Sequence, residues 1–74
     1  MKTLEILSPL MGSVTMIFAE TGAVVEAGEK LVGIECMKMQ YDIESPHAGT
    51  VQVKVELGDV VGQDSLLALL DVED

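Results

Sequence analysis

The sequence predicts an all-β fold. Seven or eight short strands form two small antiparallel sheets, packed as a sandwich or closed into a flattened β-barrel, with internal pseudo-two-fold symmetry. Three observations predict it: the chain repeats itself once, its apolar residues alternate with polar ones at a period of two, and glycines punctuate the runs.

The repeat is ordered along the chain. Ser8-Pro9 recurs as Ser45-Pro46, 37 residues on, and at the same offset Ile6 matches Ile43, Gly12 matches Gly49 and Val14 matches Val51. From Glu20-Thr21-Gly22 the offset becomes 36: these residues match Glu56-Leu57-Gly58, Val24-Val25 matches Val60-Val61, Leu31 matches Leu67, and Glu35 matches Asp71. The halves are 4–36 and 41–72. Two copies are too few for a solenoid, which needs about three stacked units. They fit one domain, residues 1–74, in which neither half buries its apolar face alone.

Leu4 and Ile6 open the first half, as Tyr41 and Ile43 open the second. Val51, Val53 and Val55 alternate with Gln52, Lys54 and Glu56, the pattern of a half-buried strand. Carried back to the first half, that pattern places Val14, Met16 and Phe18 inward. Val32, Ile34 and Cys36 alternate with Gly33 and Glu35, as Ala68, Leu70 and Val72 do with Leu69 and Asp71. Gly12, Gly22, Gly28, Gly49, Gly58 and Gly62 read as turn residues. Helix signals are weak: the segment behind Asp64, the one capping candidate, is too short.

Composition narrows the function. In 74 residues there are 13 acids and 4 lysines, for a net charge of -9. A chain this short buries about 60% of its unfolded surface, which leaves no room for a deep catalytic cleft. Nucleic acid and anionic membrane surfaces both need a basic face, and here there is none. No apolar run approaches the roughly 20 residues of a membrane span, and the first residues lack the apolar stretch of a signal peptide. A single cysteine makes no internal disulfide, so a reducing, cytoplasmic setting is expected. His47 has no metal-ligand spacing around it, and Cys36 has no local base. The acidic surplus fits steering toward basic partners and fits simple solubility equally well.

One residue stands apart. The halves meet at Glu35-Cys36-Met37-Lys38-Met39-Gln40. Residues 37–40 join the last strand of one half to the first strand of the next, which makes them a tight hairpin with an exposed tip. The second half has no equivalent. Hairpin tips favour Asn, Asp or Gly; here two methionines flank a lysine. Read plainly, the methionines tuck onto the sheet and Lys38 is a solvated charge. Read functionally, Lys38 is a covalent attachment point with an apolar collar.

Glu35-Cys36-Met37-Lys38-Met39 resembles the biotin attachment motif, usually Glu-Ala-Met-Lys-Met, of the biotinyl/lipoyl attachment domains. The resemblance spans nearly the whole chain and includes Ser8-Pro9 with Gly12, the half-way lysine, and Ser45-Pro46-His47-Ala48-Gly49. It implies the barrel-sandwich hybrid fold and a biotin carboxyl carrier protein. It further implies that Lys38 takes biotin from a biotin protein ligase, with Met37 and Met39 as flanking recognition residues and Glu35 and Cys36 as motif positions. The attached biotin then acts as a swinging arm between biotin carboxylase and carboxyltransferase, the domain itself being non-catalytic. No base lies near Lys38 in the sequence, so the ligase must take the proton from its amine. Cys36 departs from the usual Ala and is expected to be tolerated as a small residue. The halves differ by one residue, which leaves no space for the protruding thumb of some family members. A lipoyl carrier shares the fold but usually carries Asp-Lys-Ala, and an unmodified assembly module is the further alternative. Met1 and the acidic end Asp71-Val72-Glu73-Asp74 fit a free-standing protein.

Overall fold

A computed structural model describes residues 2–73. Eight strands run β1 (Lys2–Leu7), β2 (Gly12–Ile17), β3 (Val24–Val25), β4 (Lys30–Cys36), β5 (Met39–Glu44), β6 (Gly49–Val53), β7 (Val60–Val61) and β8 (Leu66–Val72). They form two antiparallel four-stranded sheets, ordered β1-β8-β6-β3 and β5-β4-β2-β7. Moving each strand of the first sheet four places along the chain gives the second. Each sheet draws on both halves of the sequence, so the interleaving itself prevents either half from folding alone.

Between the sheets lie Val14, Leu31, Val32, Ile34, Val51, Leu67, Ala68 and Leu70, all essentially excluded from solvent. Each large aliphatic buried this way contributes about 1.5–3 kcal/mol. Leu31 and Leu67 occupy equivalent places, where the register slips between Lys30 and Val32 against β5 and between Ile6 and Leu7 against β8. Each slip turns one extra leucine inward beside Val32 or Ala68.

Met16 and Phe18 depart from the expected inward pattern. They are 45% and 40% exposed, while Ile17 packs on the core and Ala19 is buried. The cause is a bulge in β2: Val14 pairs with Ile34, but the next pair along β4 is Met16 with Gly33. Thr15 is the extra residue, and beyond it every side chain changes face. The equivalent strand of the other half, β6, pairs with β8 without interruption. The drop in repeat offset from 37 to 36 is this residue.

Gly12 and Gly49 also differ from expectation. They begin β2 and β6 rather than making turns. A side chain at Gly12 would strike the carbonyl oxygen of Glu35, and one at Gly49 that of Asp71. Glycine is needed there for close backbone approach. Gly22, Gly28 and Gly58 do turn the chain, at φ of 95°, 91° and 90°.

The molecule is elongated, 38 × 19 × 18 Å. Residues 8–11 join β1 to Gly12, which abuts Glu35, so the end of β1 lies toward the β4–β5 hairpin. The start of β1, where Lys2 pairs with Val72, lies at the other end.

Candidate functional site

The β4–β5 hairpin is tighter than residues 37–40. Cys36 pairs with Met39, so Met39 and Gln40 belong to β5 and the turn is Met37-Lys38 alone. Both turn residues have positive φ, 51° and 68°. This is what a two-residue type I′ hairpin turn demands, because its twist matches that of the strands. Residues other than Gly or Asn pay strain in this region, and the hairpin carries it at two successive positions.

The turn presents Lys38 to solvent, and among the described residues its amine has no side-chain partner. The two methionines differ. Met37 is 91% exposed. Met39 is 60% exposed, and its Sδ accepts a hydrogen bond from the Tyr41 hydroxyl at 3.8 Å. The collar is thus half free and half anchored. Cys36 is a half-buried free thiol beside Met39.

Glu35 is exposed on the outer face and makes no side-chain hydrogen bond or ion pair among the described residues. Its counterpart Asp71 is held by Thr3 Oγ1 at 2.9 Å and Gln52 Nε2 at 3.2 Å. Equivalent acids therefore have unequal duties: one ties strands together and the other is left to solvent.

Asp42 is half-buried in a network. It accepts from Gln40 Nε2 at 3.1 Å and pairs with Lys30 Nζ at 3.1 Å. The Gln40 amide first, and the Lys30 ammonium second, hold its carboxyl below the ordinary 3.8. Lys30 also lies 5.7 Å over the ring of Phe18, one of the side chains that the bulge turns outward. Sequence reasoning missed this cluster because Phe18 was assigned to the core. His47 is exposed near the termini, far along the body from Lys38. Among the described residues, no group of acids, His and Cys is placed to hold a metal.

A two-sheet body of this kind has known counterparts. The family model described as "Biotin-requiring enzyme" matches residues 4–70. The chain belongs to the biotin/lipoyl attachment family. This biotin/lipoyl domain is 37% identical over 65 residues to the mitochondrial propionyl-CoA carboxylase alpha chain of Homo sapiens, covering 86% of the present chain and 9% of that one. It is 36% identical over 62 residues to the dihydrolipoyllysine-residue acetyltransferase component of the pyruvate dehydrogenase complex of Pseudomonas aeruginosa, covering 82% and 11%. The crystal structure of Kluyveromyces lactis urea carboxylase contains the same fold, with a TM-score of 0.89 at 26% identity over 96% of this chain and 6% of that one. The domain thus spans about a tenth of the length of the curated relatives it matches. Its loops between β2 and β3 (18–23) and between β6 and β7 (54–59) are equal in length, and neither protrudes as a thumb.

Proposed function

We propose that residues 1–74 form one biotinyl unit and serve as a biotin carboxyl carrier, with Lys38 as the attachment residue. The observation that carries this reading is the Met-Lys-Met sequence on a two-residue turn, with the lysine amine free of side-chain partners among the described residues. The hairpin holds Lys38 where an enzyme can enclose it from several sides. In attachment, the Lys38 nitrogen attacks the carbonyl of a biotinyl adenylate, an amide bond forms, AMP leaves, and a base of the ligase takes the amine proton. Glu35 and Cys36 flank the turn as motif positions, and Met37 and Met39 offer adaptable thioether contacts.

Attached biotin would supply the carboxyl-carrying ring, and the domain would move it between biotin carboxylase and carboxyltransferase. Tethering keeps the carrier at high effective concentration at both sites. The domain is the carrier and not the catalyst. The carboxylase relatives support this reading, and a reducing, cytoplasmic setting suits the free thiol of Cys36. The Pseudomonas aeruginosa relative favours a second reading, a lipoyl carrier. Methionine on both sides of the lysine favours biotin.

Intact mass spectrometry tests the choice. With biotin, ATP and a biotin protein ligase, the wild type should gain one biotinyl group, Lys38→Arg should fold normally and gain none, and lipoate with its own ligase should add nothing. Modification of Lys38→Arg, or lipoylation in place of biotinylation, refutes the proposal. Capture of native protein on streptavidin separates it from an unmodified assembly module.

A further inference from the structure

The pseudo-two-fold gives the domain an internal control, because every residue near Lys38 has a counterpart near the termini. Outside the Met37-Lys38 turn itself the two sets sit on matching strands and turns, so differences there are not required by the fold. The ends of the Ser-Pro turns show how close the match is. Ser8 Oγ donates to the carbonyl of Leu10 and Ser45 Oγ to that of His47, both at 2.5 Å.

At four matched positions the side chains of the two ends differ in character. At the terminus end, Lys2, His47, Ala48 and Glu73 help line a shallow concavity of about 750 Å³. Their counterparts at the lysine end are Met39, Leu10, Met11 and Met37. A lysine, a histidine, a small residue and an acid are thus matched by three methionines and a leucine. Met11 is 67% exposed and precedes Gly12, whose backbone abuts Glu35, so it extends the apolar surface of the tip onto the β1–β2 turn. In an otherwise acidic chain, exposed thioethers gathered at one end contribute little to folding and suit a covering apolar surface.

We propose that Leu10 and Met11 form, with Met37 and Met39, one apolar docking surface for the enzyme that acylates Lys38, and that the mouth of that ligase's active site is apolar where it meets the β1–β2 turn. The inference rests on the reading of Lys38 as a biotin acceptor. The ligase is the occupant because no enzyme can reach the Lys38 amine without covering the turn, and the turn is continuous with Met11. Leu10 and Met11 are specificity-determining residues remote from the reacting atoms, so they act on binding and not on the chemical step.

Exchanging residues between the ends tests this with substitutions the fold already accepts. Leu10→His/Met11→Ala installs the terminus-end residues beside Lys38, and His47→Leu/Ala48→Met does the reverse. Biotinylation of each apo domain by biotin protein ligase is followed by intact mass at pH 8, where the new histidine is neutral, with thermal unfolding as the folding control. The first variant should raise KM for the domain at least fivefold at unchanged kcat, and the second should leave both within twofold. Hydrogen exchange on wild-type domain bound to ligase should show protection at residues 10–13 and none at 47–50. A KM within twofold of wild type for Leu10→His/Met11→Ala, or equal protection at both segments, overturns the inference while leaving Lys38 as the acceptor. Failure of the wild type itself to take biotin removes the reading beneath it.

Discussion

Replacing Met37 by Asn should make this protein more stable and a poorer ligase substrate. Met37 sits at φ 51° and is 91% exposed, so its side chain contributes almost no buried surface that the substitution would forfeit. An L-residue in left-handed conformation costs about 1–2 kcal/mol, and Asn, whose short side chain bonds locally, visits that region far more readily. Relief of part of that strain should stabilise the fold by about 0.5–1 kcal/mol. In a domain of this size, 1 kcal/mol moves the midpoint by roughly 4–8 °C, so a rise of roughly 2–8 °C is expected. Thermal unfolding of both proteins, followed by far-ultraviolet circular dichroism, measures it. A midpoint equal to or below that of wild type would refute the claim that this turn stores strain. Slower biotinylation of the stabilised variant would show that the methionine is kept for recognition at the expense of stability.

Two further outcomes follow from the same geometry. The Asp42 carboxyl is held below 3.8 by Gln40 and Lys30, so it stabilises the fold above that pH and loses its contribution as the pH falls through its folded value. Urea midpoints of wild type and Asp42→Asn should therefore differ near neutrality and draw together only as the pH falls below 3.8; a gap that has already closed before the pH reaches 3.8 contradicts this assignment. Gly49→Ala places a methyl group against the Asp71 carbonyl and 3.1 Å from Val72 Cγ1, and should cost about 1–3 kcal/mol in urea unfolding. A loss under about 0.5 kcal/mol would mean that β6 and β8 separate easily.

Much of this architecture was legible from alternation and repetition, because a sandwich core demands period two and a two-fold fold demands matching halves. Val14, Ile34, Val51 and Leu70 are buried as the alternation requires. Met16 and Phe18 were misread because a bulge has no obligatory residue type: Thr15 looks like any strand residue. A trace of it did exist. The repeat offset falls from 37 to 36 across this stretch, and matching Ile17 to Val53 and Ala19 to Val55 after that drop gives the observed inward set. Gly12 and Gly49 were misread for a related reason. Glycine marks both a turn and a close backbone approach, and only the strand on the other side tells them apart. The lysine was visible as an oddity of sequence. The Tyr41–Met39 contact and the freedom of Glu35 relative to Asp71 depend on which side chains the pairing brings together, and composition carries no record of that.

The pairing of Lys2 with Val72 has a mechanical consequence. In a longer chain such as the relatives this domain matches, the polypeptide would enter and leave the unit at one point, with the hairpin at the far end of a body 38 Å long. The two connecting segments then act as a single pivot, and the rigid sheets act as a crane jib. A small rotation at the pivot is magnified along the whole body before the lysine side chain adds its own reach. For a carrier of the proposed kind, much of the distance between two partner sites would be crossed by swinging the protein itself, with the flexible side chain left to make the final approach.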